Sequence, residues 1–88
     1  MTPSDALPSQ LLIKAAMLEV LKESKGGLHI RDVEEAVATR LSLTKSQREL
    51  MHKGKRTLLG YKLAWARTAA KKEGLIESPR SSVWKIVD

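Results

Sequence analysis

The chain has no cysteine among its 88 residues. This excludes a disulfide scaffold and any thiolate-held metal, and it fits a reducing compartment. Long apolar runs are also missing. The longest near the N-terminus, Leu11-Leu12-Ile13, is broken by Lys14, which is too short for a signal peptide or a membrane span. A cytoplasmic location with no membrane partner is the expectation. There is no serine–histidine–carboxylate set and no phosphate-cradling glycine loop. The nearest approach to a carboxylate metal site is Asp5 with Glu23-Ser24-Lys25. Asp5 falls in a proline-containing leader, and Glu23 and Lys25 fall at a helix end beside Gly26-Gly27. Nothing there holds the groups rigidly together, as metal chemistry requires. No catalytic residue, metal or cofactor is expected. The length supports one modest core, without room for an enclosed catalytic cavity.

Charge is present in excess, and it is uneven. Residues 1–44 hold five Lys/Arg and six Asp/Glu, for −1; residues 45–88 hold eleven and four, for +7; the sum is the net +6 of the chain. A basic excess confined to one half implies a polyanion-facing surface more than a general solubility device.

Met1 to Pro8 reads as a flexible leader and residues 9–88 as the domain. Ser9 can cap a helix running from Gln10 to about Ser24. That helix is apolar on two sides: Leu11, Ala15 and Leu18 on one, and Ile13, Met17 and Val20 on the other. Such a helix is buried in its own core or shared with a second copy of the chain. A homodimer through the Ile13–Met17–Val20 stripe is the second of these readings. Gly26-Gly27 ends the helix, and Leu28-His29-Ile30 follows as a short strand with His29 pointing outward. With no cysteine and no second suitably spaced ligand, His29 is not a metal ligand.

Asp32 and Glu35 have capping-box spacing, which predicts a second helix from near Asp32 to about Leu41, with Val33, Ala36, Val37 and Leu41 on one face. Thr44 and Gln47 repeat the box and open a third helix reaching about His52. His52 to Arg56 is then a basic loop containing Gly54.

The long helix is expected from about Leu58 to Glu73, stopped by Gly74 in a left-handed conformation. At about 100° per residue its apolar arc gathers Leu59, Leu63, Ala66 and Ala70, extended by Leu58, Trp65 and Ala69. The opposite arc holds Gly60, Tyr61, Ala64, Arg67, Thr68 and Lys71. Small residues between cations let such a helix lie close in a major groove. Lys62 and Glu73 fall inside the apolar arc and must snorkel or lie at its ends. Leu75-Ile76 and Val83 to Val87 bracket Pro79-Arg80-Ser81 as a hairpin. Trp84 shares a side of the last strand with Ile86, and both tryptophans are expected to pack the hairpin against the helix.

The order of helix, short strand, two helices, a long basic helix and a hairpin is that of a winged helix-turn-helix, mainly α with a small β-hairpin. Leu63-Ala64-Trp65-Ala66-Arg67, Lys71-Lys72-Glu73-Gly74-Leu75-Ile76, Ser78-Pro79-Arg80 and Val83-Trp84-Lys85-Ile86 together resemble the N-terminal domain of Mrr-type restriction endonucleases. That family pairs a tryptophan-alanine on the recognition helix with a lysine-rich end, a glycine stop and a wing closing on a second tryptophan. The resemblance implies a prokaryotic, DNA-associated winged-helix module that normally precedes a nuclease domain. One departure is visible: Ser81-Ser82 stand where the family usually has glycine before the final tryptophan, which leaves the wing-tip conformation open.

Double-stranded DNA is thus the expected partner, with Arg67, Tyr61, Thr68 and Lys71 on the helix face and Lys53, Lys55, Arg56 and Arg80 on the backbone-facing loop and wing. The competing reading is a winged helix that docks a protein partner or a second copy, without touching DNA.

Overall fold

The computed structural model describes residues 7–54 and 56–87, with His52 and Lys53 described in their backbone only. The first helix, α1, spans Gln10–Lys22 and is capped by the Ser9 hydroxyl, which accepts from the Leu12 N–H at 3.3 Å. Its buried positions are Ile13, Ala16, Met17, Val20 and Leu21. Ile13 and Met17 are wholly enclosed. The stripe that suggested a homodimer is therefore the inner one, filled by the chain's own core, and the dimer reading through it fails. Leu11 and Leu12, at 76% and 55% exposure, face outward instead. Periodicity showed two apolar sides, and only the packing of later helices decides which of them turns inward. Leu7 packs against the core from the preceding segment, while Met1 to Ala6 lie outside the described residues.

Strand β1 is Leu28–His29, and helix α2 runs Ile30–Arg40. The capping box anticipated at Asp32 is not used. His29 is the N-cap: its Nδ1 accepts from the Arg31 N–H at 3.1 Å, so the helix starts two residues early. Asp32 then sits in the first turn, where a carboxylate favours the positive end of the helix. Val33, Val37 and Ala38 are buried, with Ala36 and Leu41 packed against them.

Helix α3, Lys45–Glu49, carries the box read from its sequence. The Thr44 hydroxyl accepts from the Gln47 N–H, and the Gln47 side chain accepts from the Thr44 N–H. It stops earlier than expected. Residues after Leu50 form a two-stranded ribbon, β2 (Met51–Lys53) against β3 (Arg56–Thr57), in place of the anticipated loop.

Helix α4, Leu58–Lys72, begins at Thr57, whose hydroxyl accepts from the Gly60 N–H at 3.0 Å. It ends where expected. Gly74 has φ +75, its N–H reaches the Lys71 carbonyl, and the Leu75 N–H reaches that of Ala70. This double bond pattern satisfies the last carbonyls of the helix and requires a left-handed residue at that point. Leu59, Leu63, Ala66 and Ala70 are buried, as the periodicity predicts. Glu73 leaves the apolar arc by pairing with Lys14 of α1 at 2.6 Å.

The wing is β4 (Ile76–Arg80) against β5 (Val83–Ile86), and β5 also pairs with β1, giving an antiparallel sheet in the order β1-β5-β4. Pro79 lies on β4, an edge strand, where a missing N–H is tolerated. At the wing tip Ser82 takes φ +63, so a serine holds the left-handed position that glycine would occupy more easily. Its carbonyl accepts from the Ile30 N–H at 2.8 Å, tying the tip to the start of α2. The architecture is an α+β winged helix-turn-helix, with a ribbon inserted before its long helix.

Candidate nucleic-acid interface

The exposed side of α4 follows from which side is buried. With Leu59, Leu63, Ala66 and Ala70 turned inward, the 3.6-residue repeat turns Tyr61, Ala64, Trp65, Thr68 and Lys72 directly outward. Arg67 and Gly60 lie to one side of this line, towards α2. A recess of about 580 Å³ opens there, between Arg31 and Glu34 of α2, Arg56 and Thr57 of β3, and Gly60 and Arg67 of α4. On the wing side, Ala64, Arg67, Thr68, Lys71 and Trp84 border a second hollow.

Gly60 has a different use from the one expected of it. A Cβ there would lie 3.0 Å from the Thr57 hydroxyl oxygen and 3.1 Å from Glu34 Oε1. The space beside Gly60 thus admits the Glu34 carboxylate rather than a DNA groove. The Thr57 hydroxyl donates to Glu34 Oε2 at 2.8 Å while accepting from Gly60 N–H, so α2 is latched to the first turn of α4. The carboxylate also faces Arg67. Burial lowers the pKa of that half-buried guanidinium, the nearby Arg56 charge lowers it further, and Glu34 opposes both. An arginine side chain stays charged regardless.

The acidic groups are distributed so as to leave this face cationic. Among the described residues, the ion pairs are Lys14–Glu73, Arg40 with Glu19 and Glu23, Arg48–Glu35, and Lys85–Glu77. None of these uses Arg31, Arg56, Arg67, Lys71 or Arg80. Glu23 is committed to Arg40, which removes it from the carboxylate pattern noted with Asp5; Asp5 itself lies outside the described residues. No group of three His, Asp or Glu side chains able to hold a metal occurs among the described residues, and no described helix is long and apolar enough to cross a membrane.

Of the sequence-predicted contacts, Arg56, Tyr61, Arg67, Thr68 and Lys71 are brought onto the α4 face or its rim. Arg80 is exposed at the end of β4, next to the wing turn. Lys55 lies outside the described residues, as does the side chain of Lys53. Thr68 is exposed, but its hydroxyl donates back to the Ala64 carbonyl at 3.1 Å. Lys71 places its ammonium 5.9 Å from the centre of the Trp84 ring, a cation–π contact of about 0.5–1 kcal/mol at such an exposed site.

The two tryptophans separate. Trp84 is partly buried against the core, as expected. Trp65 is 57% exposed and does not pack the wing. Its ring stands edge-to-face with that of Tyr61, with centres 6.4 Å apart and planes at 83°. Its position at the margin of the apolar arc allowed either outcome, and the ring is left more than half exposed. Arg31 and Glu34 were not anticipated, because a site built across two helices leaves no spacing signal in either.

The family model described as the Mrr N-terminal domain matches residues 13–88. Searches of curated proteins and of solved structures returned no match. The match runs from the inner stripe of α1 to the end of the chain, and so covers every element that shapes the α4 face. The chain belongs to the Mrr N-terminal domain family of restriction-system proteins.

Proposed function

We propose that the chain binds double-stranded DNA through the outward face of α4, as the recognition module of a restriction-system protein. The observation that carries this is the partition of charge. Glu19 and Glu23 are held by Arg40, Glu35 by Arg48, Glu73 by Lys14 and Glu77 by Lys85, while Arg31, Arg56, Arg67, Lys71 and Arg80 enter none of these ion pairs and are left for an external polyanion. In this reading α4 enters the major groove with Tyr61, Thr68 and Lys71 towards the bases. Arg67 reaches a base edge from the α2 side. Arg56 and Arg80, with Lys53 and Lys55 as the neighbouring cations in sequence, meet phosphates on either side. A helix in the groove with positioning contacts at its flanks is the usual division of labour.

The chain itself carries no catalysis in this proposal. Cutting belongs to a separate nuclease domain, and the working location is with DNA in the cytoplasm. Binding to duplex DNA across ionic strength tests the reading. Four to six phosphate contacts give a slope of about −4 to −5 in log affinity against log salt, with micromolar affinity near physiological salt. Binding that ignores salt, or no binding at low salt, would instead leave the face to a protein partner.

A further inference from the structure

The middle of the α4 face is apolar, although its rim is cationic. Tyr61, Ala64, Trp65 and Thr68, with Arg56 at one mouth, border a cleft of about 230 Å³. Trp65 is exposed yet steadied by the Tyr61 ring set edge-on against it. The Thr68 hydroxyl is turned to the Ala64 carbonyl, which leaves its methyl group for whatever enters. Ala64 adds only a methyl. A large, exposed apolar side chain on a face rimmed by cations calls for an apolar partner group.

Seen from the major groove, the C5-methyl of thymine is the one sizeable apolar group that paired bases offer; cytosine shows only a C5–H there, and the remaining features are hydrogen-bond donors and acceptors. Ring faces stay inside the stack, so Trp65 has no face to lie on in an intact duplex. We infer that Trp65, Tyr61, Ala64 and Thr68 form a cleft that receives the thymine methyl and makes the domain favour thymine opposite the middle of α4. The inference rests on the duplex-binding reading above. Arg56 and Arg80 hold the backbone on either side, and the cleft discriminates without supplying most of the affinity.

The test is competition between two alternating A·T duplexes that differ only in carrying thymine or uracil, using the whole chain at low salt. The thymine duplex is expected to bind about three- to fivefold more tightly per methyl contacted, the worth of burying one methyl group. Trp65→Ala should bring that preference close to one without changing the salt slope. Thr68→Ser, which keeps the hydroxyl bond to Ala64 and deletes only the methyl, should reduce it measurably and guards against a Trp65→Ala protein that fails to fold. Equal affinity for the two duplexes overturns the inference. So does a preference that survives undiminished in both variants, since the methyl would then act through DNA shape. Failure to bind either duplex overturns the duplex-binding reading itself.

Discussion

Gly26 and Gly27 are identical in sequence and opposite in consequence. Gly27 has φ +95, and a Cβ built there would lie 3.0 Å from Val83 Cγ1 and 3.1 Å from the Trp84 carbonyl oxygen. Left-handed backbone costs a residue with a side chain about 1–2 kcal/mol. The steric part adds to this because the Trp84 carbonyl belongs to β5, which pairs with β1 directly after Gly27. Relieving the clash means moving a strand, and such overpacking costs about 1–3 kcal/mol. Gly27→Ala should therefore destabilise the domain by about 2–5 kcal/mol. Gly26 has nothing within 4 Å of its Cβ position and no positive φ. Gly26→Ala should be neutral or stabilising by about 0.4–1 kcal/mol through the unfolded chain. In a domain of this size 1 kcal/mol moves Tm by about 4–8 °C, so the two variants should melt on opposite sides of the parent or nearly so. Urea unfolding followed by circular dichroism gives both energies. Equal effects from the two substitutions would mean that β1 and β5 do not meet in the register described, and that the wing is anchored to α2 differently.

Other consequences are as direct. Trp84→Ala removes a partly buried ring and the Lys71 contact, and should cost about 2–3 kcal/mol, less than the full range for enclosed aromatics; an unchanged unfolding midpoint would refute its packing role. Thr57→Ala deletes both the cap of α4 and the hydroxyl held by Glu34, and should cost about 1–2 kcal/mol in thermal or urea unfolding. Ser82→Gly relieves the left-handed serine at the wing tip and should stabilise by up to about 1 kcal/mol; a loss of stability would show that the serine side chain has a compensating use. In the DNA-binding reading, Arg67→Ala should cost about 1–3 kcal/mol on a preferred duplex and flatten selection from a randomised pool. Arg80→Ala should weaken all duplexes alike and reduce the salt slope by about one.

Local rules read the long helix well because its signals are local. The start near Leu58, the four buried residues and Gly74 are all legible within one stretch, and the Thr44–Gln47 box is equally self-contained. What escaped reading depends on a second element. The inward side of α1 is chosen by α2 and α4, so its two stripes could not be ranked. His29 out-competes Asp32 as a cap because β1 pairing with β5 fixes the backbone before α2. The β2–β3 ribbon has a strand of only two residues on one side, too short to show alternation. Ser42, at φ +54 after α2, and Ser82 take left-handed positions without the glycine that announces them.

At the candidate site the cations of α4 were visible as a face, but the meaning of Gly60 was not. Its missing side chain is filled by Glu34 from another helix, and no spacing within α4 encodes that.

Chemical-shift mapping of the chain during titration with duplex DNA tests the central claim most directly. The two tryptophans give two indole N–H signals, one from the outward face of α4 and one from the wing. The account predicts that the Trp65 indole and the amides from Arg56 to Lys72 shift most, with Trp84 and the wing turn following. Amides on the outward side of α1, around Leu11 and Ala15, should stay in place. Shifts concentrated on α1, with the Trp65 indole unmoved, would contradict the assignment of α4 as the DNA-facing helix.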